Sequence, residues 1–148
     1  MSPIGAKEEY RAPSQILEKE RERLGVAKPH TPILVSGENL VGTWVNVNHE
    51  TRDLVRIMIG LKGNDVTVQA FGACHPNPCD WGQIVGRMYA ETVASLPAIA
   101  FVAPYKFDFA EVTLTGHLYQ GAMFIETFTH FTDHSGRADY YAVDVLSK

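Results

Sequence analysis

Cysteine is scarce in this 148-residue chain: only Cys74 and Cys79 occur, and both lie in one short loop, Cys-His-Pro-Asn-Pro-Cys-Asp-Trp-Gly. A structural zinc site wants four ligands, and no second Cys pair exists to complete one. The loop reads as a proline-stiffened connector whose thiols could also close a local disulfide. Basic residues are in deficit too, with 13 Lys and Arg against 17 Asp and Glu and a net charge of −4. Phosphate binding needs a basic surface, so nucleic acid is disfavoured as a partner. No stretch is long and apolar enough to span a bilayer, and Met1 to Arg11 carries Lys7, Glu8 and Glu9 where a signal peptide needs an apolar run. The expectation is a cytoplasmic protein without a membrane partner, and in that compartment free thiols are favoured over a disulfide. Gly-x-Ser-x-Gly, Walker and Gly-x-Gly-x-x-Gly motifs do not occur, which speaks against hydrolases of that fold, P-loop enzymes and Rossmann dehydrogenases. His130, Asp133 and His134 are close in sequence, yet a strand end followed by a turn does not gather them on one face, so neither metal nor cofactor is expected.

What is present is a large apolar fraction, 45% of residues, enough for one domain with its own core. Residues 1–38 read as an N-terminal extension with one short polar helix over Pro13 to Gly25, which has Pro in its first turn and Gly past its end. Residues 39–148 read as a strand domain. From Leu40 onward, apolar and β-branched runs alternate with turn signals: Leu40 to Asn46, Leu54 to Leu61, Asp65 to Ala73, Trp81 to Tyr89, Ala98 to Ala103, Glu111 to Leu118, Ala122 to Phe131 and Asp139 to Leu146. Connectors this short join antiparallel neighbours, and a meander of about eight strands hides its edges by closing. The predicted fold is all-β, an antiparallel up-and-down barrel of about eight strands with an N-terminal helix.

Gly42-Thr43-Trp44, in a first strand at the head of such a meander, resembles the Gly-x-Trp signature of the calycin superfamily, the lipocalins and avidin-like barrels. Asp139-Tyr140 is similar to the lipocalin Thr-Asp-Tyr motif, with Ala138 in place of Thr and with the pair in the last strand rather than before it. The resemblance implies a small barrel whose open end takes a small, often apolar molecule.

Strand alternation sorts the candidate functional residues, because every second side chain faces the same way. One face is small and aliphatic: Val66, Val68 and Ala70 in one strand, Leu114, Gly116 and Leu118 in another, Met123, Ile125 and Thr127 in a third. The other mixes aromatic and polar groups. Either the aliphatic face fills the interior, or the mixed face lines a cavity. On the second reading Arg56, Gln69, Phe71, Arg87, Phe128 and Tyr141 contact a small apolar or aromatic ligand, and Trp44 plugs the floor. His117, His130, Glu126 and Tyr119 are then the candidates for acid and base. The functional expectations are a small-molecule-binding barrel, a cofactor-free lyase, isomerase or cyclase in the same cavity, and a lectin-like or structural protein. Runs apolar on both faces, Leu54 to Ile59 and Ala98 to Ala103, predict a homodimer or higher oligomer.

Overall fold

In the computed structural model, which describes Glu20, Arg23 and residues 34–148, eight antiparallel strands close into one barrel. They are β1 (Gly42–Asn46), β2 (Leu54–Lys62), β3 (Asp65–Gly72), β4 (Cys79–Ala90), β5 (Ala98–Lys106), β6 (Ala110–Tyr119), β7 (Ala122–Phe131) and β8 (Tyr140–Ser147). Each pairs with the next in sequence, and β8 returns to β1 through Val45 opposite Ser147 and Asn46 opposite Leu146. This is the meander that the turn spacing predicts. The helix expected over residues 13–25 falls, apart from Glu20 and Arg23, outside the described residues.

The aliphatic face points inward. Ile57, Val66, Val68, Phe101, Leu114, Met123, Ile125 and Leu146 are all fully buried in one continuous core. Large and small residues are matched across the barrel, as its narrow interior requires. Phe101 of β5 stands opposite Gly116 of β6, and a Cβ on that glycine would sit 2.7 Å from Cζ of Phe101 and 2.9 Å from Cδ1 of Ile125. Only Gly leaves room for the phenyl ring there. The barrel is therefore filled at mid-height rather than hollow.

One end is shut by apolar side chains. Leu40 is fully buried across it, and Trp44 lies beneath with its indole N–H donating to the Leu40 carbonyl at 2.9 Å. Residues 34–41 hold this closure in place: Ser36 bonds to the backbone of Leu96 and Ala98, and Val35 packs on the core. The opposite end carries the connectors 47–53, 73–78, 107–109 and 132–139, and there the interior changes character. Asn46, Thr127, Thr129 and Asp144 are buried polar residues among the inward-facing positions.

Candidate functional site

The site is built where the regular ladder breaks. A bulge in β4, where Trp81 and Gly82 stand against the single residue Ala70 of β3, interrupts the ladder between the pairs Gln69–Gln83 and Phe71–Asp80. The hydroxyl of Tyr105, reaching across from β5, caps this spot: it accepts from the Ala70 N–H at 3.0 Å, and its one proton lies between the carbonyls of Gly82 at 2.8 Å and Val68 at 3.1 Å. Burial pushes this phenol up to about 12, against the opposing effect of the Ala70 hydrogen bond, so it stays a neutral donor at physiological pH. The bulge turns Trp81 toward the barrel axis. Its indole lies close over Gly72, where a Cβ would stand 3.0 Å from Nε1.

Trp81 begins an aromatic wall. Its ring meets Tyr105 and Phe107 edge-on at 5.4 and 5.6 Å, and Phe107 in turn stacks on Phe109 at 5.5 Å. Across the opening, the Arg137 guanidinium sits 4.1 Å above the Phe131 ring, while Arg137 also pairs with Asp133 at 2.7 Å. Two cavities share Cys79, Trp81 and Tyr140 as a common wall. The outer one, about 390 Å³, is lined by Phe107, Phe109, Phe131 and Arg137. The inner one, about 160 Å³, reaches Leu54, Thr127 and Ala142, with Arg52 and Asp53 at its side.

Cys74 and Cys79 form a disulfide that closes the β3–β4 connector, and both line the inner cavity. The expectation of free thiols is corrected here, since Cys74 and Cys79 are paired across the connector.

Polar groups gather below the cavity. Asn46 donates to Asp144 Oδ1 at 2.9 Å and to the Leu54 carbonyl at 2.8 Å. The other carboxylate oxygen, Asp144 Oδ2, and the hydroxyl of Thr127 are buried without a hydrogen-bond partner among the described residues. Burial raises the Asp144 pKa from its ordinary value and the nearby Asp53 charge adds to it, while hydrogen bonds from Asn46, the Leu54 backbone and Thr51 work the other way.

The mixed face is on the outside, where an open depression of about 430 Å³ brings Phe128, His130 and Tyr141 together with Glu111 and Asp139. Arg56 lies 3.9 Å over the Phe71 ring, which it shields, and Gln69 bonds to Asp80 at 3.0 Å beside them. Arg87 is exposed on β4. On the far side, His117 stacks on Phe124 at 5.4 Å with Tyr119 edge-on to the same ring. Tyr141 donates to Glu126 at 2.7 Å and packs on Phe128, and His130 pairs with Asp139 at 2.7 Å. His117, Tyr119, Glu126 and His130 thus lie along the outer surface of β6 and β7 rather than around an enclosed volume. Among the candidates Trp44 and Phe71 are buried, and Trp44 belongs to the barrel core. Among the described residues, no three His, Cys, Asp or Glu side chains converge as a metal set would.

Sequence reasoning missed Trp81, Tyr140 and Asp144. Asp144, a lone carboxylate between Val143 and Val145, is the one with a visible signal. No protein family, curated protein or solved structure matches this chain, so the reading of the site rests on its own geometry.

Proposed function

We propose that this barrel binds a small apolar or aromatic molecule, and that the ligand enters at the disulfide-bearing end instead of contacting the mixed face. The observation that supports it most is the asymmetry of the interior. Inward positions are packed solid through the middle, then give way at one end to two adjoining cavities that share Trp81, the larger of them also walled by Phe107, Phe109 and Phe131. Apolar walls with a few convergent polar groups are what a small-molecule site needs.

The test uses N-phenyl-1-naphthylamine, a neutral dye that brightens in apolar surroundings. Its fluorescence should rise with the native protein and fall back with Trp81→Ala. An unchanged signal in that variant would place the dye elsewhere and refute the reading. Catalysis through His117, Tyr119, Glu126 and His130 would have to proceed on an open surface, which gives a lyase, isomerase or cyclase little means of excluding water.

A second reading, association of copies through the outer surface, is supported by the aromatic area exposed there. Tyr119, Phe128, Tyr141 and Val143 are each about half exposed on neighbouring strands. Light scattering at micromolar concentration should give a dimer or larger species, and a monomer would rule this out.

A further inference from the structure

On the outer surface of β6, β7 and β8 the register sets two aromatic side chains beside a row of acidic ones. Phe128 of β7 is paired with Thr113 on one side and with Tyr141 on the other. The Phe128 and Tyr141 rings lie 5.2 Å apart and are tilted by 48°, so they make a shallow V. Thr113 is short, and both rings stay about half exposed. Together with Glu111, His130 and Asp139 they line the open depression of about 430 Å³.

The groups around the depression give its sign. Glu111 stands opposite His130 in the β6–β7 register, Asp139 pairs with His130 at 2.7 Å, and Glu126 accepts from the Tyr141 hydroxyl at 2.7 Å. Lys106 approaches Glu111 at 3.7 Å from a mostly exposed position outside the lining. Among the described residues no Lys or Arg lines the depression, and Arg137 is taken by Asp133 and the Phe131 ring. Glu126 has only the neutral Tyr141 as a hydrogen-bond partner among those residues. The carboxylates Glu111, Asp139 and Glu126 therefore outweigh His130 and Lys106.

Aromatic faces are negative and attract a cation placed over them. Elsewhere the chain supplies that cation itself: Arg56 lies 3.9 Å over Phe71, Arg137 lies 4.1 Å over Phe131, and the Lys148 ammonium is 5.0 Å from the Trp44 ring. Phe128 and Tyr141 have carboxylates beside them and no such cation among the described residues. Donation of its proton toward Glu126 also makes the Tyr141 ring richer in electrons, which strengthens the attraction. We propose that this depression binds an organic ammonium ion, its charged head over Phe128 and Tyr141 with Glu126 and Glu111 supplying the counter-charge. The site is separate from the cavities at the disulfide end, which take a neutral apolar molecule.

Choline and its uncharged carbon isostere 3,3-dimethyl-1-butanol test the proposal, since they share shape and differ in charge. In titrations followed by NMR, choline should bind about tenfold more tightly, the effect of two exposed cation–π contacts. Added salt should weaken choline and leave the isostere unaffected. Phe128→Leu and Tyr141→Leu, both at exposed positions, should each lower the preference about threefold. Glu126→Gln keeps an acceptor for the Tyr141 hydroxyl and should weaken choline alone. Equal affinities for the two probes, or a choline preference that survives in both ring variants, would overturn the proposal. Failure of choline to move any signal of the native protein would also overturn it, and if the ring variants then break up an oligomer, the surface serves a second copy instead.

Discussion

The two ends of the barrel are made from the same eight strands and do opposite things. At the Leu40 end, every inward position is apolar and the chain folds across to close it, with Trp44 bonded to the closing segment. At the disulfide end, the inward columns run on into Thr127, Thr129, Asp144 and Tyr140, and the connectors stand around the opening. The first arrangement maximises apolar area removed from water. The second leaves two buried oxygens, Thr127 Oγ1 and Asp144 Oδ2, without a hydrogen-bond partner among the described residues.

Stability should therefore concentrate at the closed end, and recognition at the open one. Trp44→Ala removes a buried indole and its bond to Leu40, and should cost about 3 to 5 kcal/mol in denaturant unfolding. Trp81→Ala, at the open end and only partly buried, should cost much less and abolish ligand binding. Equal losses for the two tryptophans would erase the distinction between the ends.

The closed end was legible in the sequence because its signals are local. Gly42-Thr43-Trp44 marks the first strand, and the alternation in β6 and β7 separates Leu114, Gly116, Met123 and Ile125 from His117, Phe124 and Glu126 along the line the structure takes. The open end was not, because two of the three irregularities in the ladder lie there, between Leu54 and Arg56 and between Gln69 and Phe71. Each adds a residue and reverses the parity of the strand beyond it. Trp81 faces inward with Ile84, Gly86 and Met88 only because such an extra residue intervenes, and strict alternation would put it on the other surface. The disulfide was hidden for a different reason: compartment was inferred from the N-terminal residues, and that inference has no bearing on how a connector bends.

The next largest effect sharpens the role of the connector at the open end. Replacing Cys74 and Cys79 together by Ser removes a cross-link across a sequence separation of 5, worth about 2 kcal/mol by loop-closure entropy. Dye binding should weaken as well, since both residues line the inner cavity. Retention of full affinity in the double variant would separate the connector from the site.

Asp144 offers a smaller, pH-dependent contrast. Its pKa in the fold is raised, so the unfolded chain releases this proton at lower pH than the folded protein does. Its contribution to stability is therefore largest in acid and is lost as pH rises through the unfolded and then the folded value. Asp144→Asn should remove that dependence, giving a melting temperature at neutral pH above that of the native protein. A lower one would show that the carboxylate is satisfied in a way the geometry does not reveal.

The smallest effect is expected outside the barrel. His130 has its pKa raised, and Asp139 has its pKa lowered, first by the hydrogen bond between them. The histidine's contribution is present below its unfolded value and lost as pH rises through the folded one. The aspartate's is present above its own unfolded value and lost in acid, so the pair acts between the two. Both are exposed, and Asp139→Asn should lower the His130 titration midpoint seen by NMR while leaving thermal stability nearly unchanged. A large fall in stability would mean that this face carries more of the fold than its exposure implies.

The chain's two tryptophans stand one toward each end of the barrel, so their indole N–H signals report on both regions in one spectrum. Titration of the nitrogen-15-labelled protein with indole should shift the Trp81 indole signal and the Thr127 amide in step, with the Trp44 indole signal unmoved. Shifts centred instead on Tyr119, Phe128 and Tyr141, or on Trp44, would contradict a ligand site at the disulfide end.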